Sequence, residues 1–124
     1  MANDIQVYAP GAHVTGQATA PVTKSTFVAV SGNRIANGGN VAVATATAAG
    51  RSFGVAAHDA ATGELVTIHR AGTVRVLTAG VLAAFDEVEV GTTGKAVKLA
   101  AGRAVGYALT GAASGALAEI HLYV

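Results

Sequence analysis

The sequence predicts an all-β fold: a compact barrel or sandwich with an internal pseudo-repeat, preceded by an extended N-terminal arm. Three observations predict it. Apolar residues alternate over short segments, glycines punctuate those segments, and one sixteen-residue stretch recurs.

The chain opens with residues 1–26, which hold both prolines, Pro10 and Pro21, together with Gly11, Gly16 and a Thr- and Ser-rich run from Thr15 to Thr26. Ile5 and Val7, with Tyr8, form a brief strand before Pro10-Gly11 turns the chain. Proline breaks a ladder that it sits inside, so residues 1–26 read as an extended arm ahead of a β domain over 27–124. Within that domain Val41 and Val43 share one face of a strand. Val66 pairs with Ile68, Val74 with Val76, Val88 with Val90, Val97 with Leu99, and Ile120 with Leu122 and Val124. Thr62-Gly63, Ser114-Gly115 and Gly91-Thr-Thr-Gly94 supply turns. No segment sustains a helical apolar period; Ala56–Ala61 and Val81–Phe85 are each a helical turn at most.

The recurring stretch runs from Gly54 to His69 and again from Gly106 to His121, with Gly, Ala, an Ala-Ala pair, Gly, Leu, Ile and His at matching places. Upstream, Val28-Ala-Val-Ser-Gly32 and Val74-Arg-Val-Leu-Thr-Ala-Gly80 are read as the matching openings of the two units. Two copies are too few for a solenoid and suit a pseudo-two-fold barrel in which each covers the other's apolar face.

Composition narrows the function classes. Of 124 residues 52% are hydrophobic, but 29 are Ala and 17 are Val, and aromatics are only 5%, so large core side chains are scarce. A net charge of +1 gathers no phosphates, which argues against a nucleic-acid partner. Cysteine is absent, which excludes disulfides and thiolate metal sites. The start, Met1-Ala-Asn-Asp-Ile5, lacks the pattern of a signal peptide, and no run is apolar for the length of a membrane span. A soluble intracellular or assembly protein is expected, with no membrane partner.

The chemical motifs are weak. Gly50-Arg-Ser52-Phe-Gly54 matches the pattern of a hydrolase nucleophile, but a turn follows it where that class needs a helix. Lys24-Ser25-Thr26 lacks the glycines of a phosphate loop. His13, His58, His69 and His121 have no zinc spacing, and His69 and His121 alternate with Ile68 and Ile120, as exposed strand positions or subunit contacts do. Lys95 sits where a carrier domain holds its modified lysine, without that domain's flanking residues. Glu87 and Glu89 read as an exposed polar face. The expectation is therefore no catalytic, cofactor-binding or metal-binding residue, and no enzyme. A small serine hydrolase using Ser52 is the distant alternative.

The order of the segments carries a resemblance. Val7-Tyr-Ala-Pro-Gly11 and Thr26-Phe-Val-Ala-Val-Ser-Gly32 precede the block from Phe53 to Ile68. Gly72-Thr-Val-Arg-Val76, Val88-Glu-Val-Gly91 and the closing Val105-Gly-Tyr-Ala-Leu109 with Ala112-Ala-Ser-Gly115 follow. This order resembles tailed-phage capsid decoration (cement) proteins of the DUF2190-like type, found in many phages of actinobacteria. One departure is Ala84-Phe85-Asp86, where a glycine-containing turn is expected. The resemblance implies a β-barrel or β-tulip-like domain, a homotrimer on the outer surface of the virion capsid, and assembly in the host cytoplasm. It also implies that the major capsid protein is the partner and that bridging its subunits stabilises the head. Ile5, Val7 and Tyr8 of the arm are the expected capsid contacts, through strand addition to a sheet edge. A tail or receptor-binding surface module is the alternative reading.

Overall fold

The structure is a computed structural model and describes residues 13–36 and 39–123. It is all-β, with a single turn of 3₁₀ helix at Thr92–Gly94. The first half contains β1 (His13–Ala18), β2 (Phe27–Val30), β3 (Val41–Thr45), β4 (Gly54–Ala56) and β5 (Leu65–His69). These close into a barrel in the order β1-β3-β2-β4-β5, with β5 returning to β1. The second half contains β6 (Thr73–Leu77), β7 (Glu87–Val90), β8 (Ala96–Lys98), β9 (Gly106–Ala108) and β10 (Leu117–Leu122), in the sheet order β6-β10-β9-β7-β8.

The two halves repeat one topology strand for strand. Val14 faces Ile68 as Val74 faces Ile120, Val28 faces Gly54 as Val88 faces Gly106, and Ala56 faces Ile68 as Ala108 faces Ile120. Even the isolated bridges correspond, Val22 with Ala60 and Leu82 with Ala112. The repeat over Gly54–His69 and Gly106–His121 is thus the β4–β5 and β9–β10 hairpins. Its glycines have a steric cause. A Cβ at Gly54 would lie 2.5 Å from the carbonyl oxygen of His69, and one at Gly106 would lie 2.4 Å from that of His121. Gly63 and Gly115 turn the two hairpins at φ +88° and +86°, where a side chain is strained.

The register corrects two expectations. The opening that corresponds to Val74–Gly80 is Val14–Ala20, whereas Val28 corresponds to Val88. Residues 13–26 are therefore not an arm. β1 pairs with β5 antiparallel and with β3 parallel, the latter matching Gly16 to Val41 and Ala18 to Val43, and so seals the first barrel. Pro21 stands after the strand has ended, where it removes no ladder bond. Of the expected arm, residues 1–12, with Ile5, Val7 and Tyr8, lie outside the described residues.

The second half is the less complete barrel. Where β1 and β3 form a parallel ladder, the residue after β6, Thr78, makes one parallel bridge to Ala96 of β8. The first half fills this seam. The Leu77 amide donates to the carbonyl of Ser25 at 2.9 Å, and Phe27, with 0% exposure, joins the core made by Val76, Val88, Val90 and Ile120. Val55 and Ala46 enter the same core, while Val28, Val43, Val66 and Ile68 fill the first barrel. In a chain short of large side chains this one aromatic plug matters. Phe27→Ala is expected to cost about 3–5 kcal/mol through lost burial and the cavity left behind. A denaturant titration checks it, and a loss under about 1 kcal/mol, the scale of an ordinary surface change, would contradict the plug.

Candidate functional site

Because the halves repeat, equivalent faces can be compared. In the first half the outward residues of β2 and β4, Phe27 and Val55, stand opposite each other and are covered by the second half, at 0% and 1% exposure. In the second half the same outward pair is Glu87 and Tyr107. Nothing among the described residues covers it, and an aromatic group gathers there instead. The Phe85 ring meets Tyr107 edge-on at 5.2 Å, and Tyr107 lies 5.2 Å from His121 and 6.0 Å from Tyr123. The Tyr123 hydroxyl donates to Glu87 at 2.8 Å, and this bond, ahead of desolvation, raises its pKa. Phe85 and Val81, on one turn, are 77% and 73% exposed. Large exposed aromatics fixed by neighbours are the usual anchors of protein interfaces, since they cover area at low entropic cost.

Phe85 is the departure noted in the sequence. Its φ is +70°, the left-handed region in which a glycine was expected, and Ser25 holds the equivalent turn of the first half at φ +63°. The Phe85 amide is fixed by a bond to the Ala108 carbonyl at 2.7 Å. The sequence lacks a glycine at this turn but carries no sign that the phenylalanine faces solvent beside two tyrosines, because only the β7–β9–β10 pairing brings them together.

The other sequence candidates assemble nothing catalytic. The Ser52 hydroxyl donates to the Gly54 carbonyl at 3.2 Å and meets no histidine among the described residues. The His58 ring is engaged with the backbone of Asp59 and Thr67. No three His, Asp or Glu side chains converge as a metal set among the described residues. Lys95 ends the 3₁₀ turn, its amide bonded to Thr92.

Glu89 departs from the expected exposed polar face. It is 6% exposed, and its Oε1 accepts amide hydrogens from Ala100, Ala101 and Gly102. These bonds, led by Ala100, hold its pKa below the ordinary value. The loop after β8 folds back over β7, and its backbone donors need an acceptor that alternation along one strand does not reveal.

The model of the phage cement protein family matches residues 3–122. The chain belongs to that family. Membership makes it a capsid-associated structural protein of a phage. Among solved structures the chain is similar to the N base of head fiber gp8.5 in bacteriophage phi29. That likeness has 20% identity and a TM-score of 0.75, and it covers 90% of this chain and 92% of the other. At that identity the likeness is one of fold. No curated protein matches.

One measurement tests this surface, and a second tests the first barrel. Relief of the left-handed strain in Phe85→Gly, about 1–3 kcal/mol, opposes the lost ring contact and the freedom of glycine, each of order 1 kcal/mol. The variant should therefore unfold within about 1 kcal/mol of the parent, and a larger loss in a denaturant titration would mean that Phe85 is a structural residue.

His13 and His69 stand directly opposite on β1 and β5, rings 4.8 Å apart. Desolvation first, and then the like charge of His13, hold the His69 pKa below 6.5. The folded chain thus binds fewer protons there than the unfolded one. Stability from this source is whole above that value and is lost as pH falls toward the lowered one. The midpoint should fall between about pH 7.5 and about pH 5.5, and by less in His69→Gln. Equal slopes for the two proteins would refute the assignment.

Proposed function

We propose that this protein binds the outer surface of a phage head as a homotrimer and stabilises the head by bridging neighbouring major capsid protein subunits. The match of residues 3–122 to the phage cement family carries this reading. The structure supports it by leaving open, in the second half, the face that the first half uses for packing. Phe85, Tyr107 and Tyr123 there present rigid apolar area to a partner.

Bridging follows from small separate contacts. Three copies of the aromatic face held in one trimer make each later contact intramolecular, so modest single affinities add up to a long-lived clamp. Residues 1–12 are assigned a second contact, with Ile5, Val7 and Tyr8 adding a strand to a capsid sheet edge. The chemistry required is only binding; packaged DNA pushes outward, and a clamp across subunit boundaries shares that load.

The test uses heads assembled without the protein and then incubated with it. Electron microscopy should show the parent on heads and not on tails, and attachment to tails would favour the alternative surface module. Removal of residues 1–12 leaves β1 intact and should preserve circular dichroism while abolishing occupancy; full occupancy by the truncated chain would remove the arm from the mechanism. Phe85→Gly should weaken attachment at least about tenfold, the scale of an interface anchor. Sedimentation of the free protein reports whether trimers precede attachment.

A further inference from the structure

Three of the chain's five arginines, Arg51, Arg70 and Arg103, line one cleft of about 270 Å³. It lies where the halves meet. The loop before β4 brings Arg51 and Phe53, the residue after β5 is Arg70, and the loop before β9 brings Arg103. Tyr123, just past β10, forms one wall. No Asp, Glu or Lys among the described residues lines it.

The arginines are arranged to receive something. Arg70 Nε donates to the Phe53 carbonyl at 2.8 Å, and its guanidinium carbon sits 4.2 Å over the Phe53 ring. These two contacts fix the plane of the group and leave its outer Nη edge without a protein acceptor among the described residues. Arg51 and Arg103 are exposed and have no hydrogen-bonding or ionic partner among those residues. Gathered like charges repel, and here no carboxylate among the described residues lines the cleft to offset them. A fixed guanidinium edge matches the two oxygens of a carboxylate. Nucleic acid fits less well, because tracking a phosphate backbone takes a continuous basic stripe, and this chain has a net charge of only +1. Tyr123 also belongs to the aromatic face, 6.0 Å from Tyr107, so the cleft and that face form one surface.

We propose that the cleft takes an acidic segment of the capsid partner. An Asp or Glu side chain of that segment sits among Arg51, Arg70 and Arg103 while its apolar neighbours rest on Tyr123 and the aromatic face. This rests on the capsid-binding reading and adds the chemistry by which the partner is recognised.

The experiment titrates the intact purified chain with a labelled polyglutamate peptide and, separately, with a DNA duplex. The parent should bind the peptide more weakly as salt rises, and Arg51→Glu/Arg103→Glu should lower affinity at least about tenfold. Arg51→Ala/Arg103→Ala makes the same comparison should the charge reversal alter circular dichroism, and Arg51→Lys/Arg103→Lys should retain part of the affinity. Absence of peptide binding by the parent, equal binding by parent and reversed chain, or tighter binding of the duplex through the same arginines would each overturn the proposal. The same variants on heads separate the two readings. If the parent and the charge-reversed chain decorate equally, only the acidic-segment inference falls; if the parent fails to decorate, the capsid reading falls.

Discussion

The fold depends on Phe27 entering the unfinished seam of the second half. A chain with 29 alanines and 17 valines makes barrels whose interiors are lined mostly by small groups, so each large apolar side chain counts for more. The parallel ladder of β1 and β3 closes the first barrel from within. The second has one bridge in that place and relies on Phe27 from outside, with the Ser25 carbonyl completing the backbone pairing of β6. One side chain thus fills a core and fixes how the halves sit against each other.

That dependence makes the halves alike in topology and unlike in use. The outward face of β2 and β4 is consumed in holding the molecule together, whereas the outward face of β7 and β9 is left to the surroundings. The residues follow suit: Phe27 and Val55 on the covered side, Glu87 and Tyr107 on the open one. In a capsid-associated phage protein this plan lets one unit seat the other while the second keeps an open face.

Much of this was legible in the sequence, and for physical reasons. Alternation in Leu65–His69 and Leu117–Leu122 reports one buried face, and the matched glycines at 54 and 106 report a backbone approach that no side chain permits. What escaped depends on pairing between distant segments. β1 joins β3 across more than twenty residues, so the prolines near it suggested an arm, and the openings of the two units were matched out of step. Glu89 looked exposed because alternation describes a strand and not the loop that folds over it. Phe85 stood out as an odd turn residue, but its aromatic neighbours come from β9 and from the segment just past β10.

Glu87 has one further consequence. Stacking of like units in a head-to-tail sense does not close on itself, and a free face able to receive the next molecule lets a fibre grow. Two features of this chain stand against that. The parallel ladder of β1 and β3 already seals the seam that a neighbour would have to offer, and the position that drives the internal stacking, phenylalanine in the first half, is in the second a carboxylate tied to Tyr123. A carboxylate loses its water on entering an apolar seam. The outward face of the second unit is thereby left for a different kind of surface.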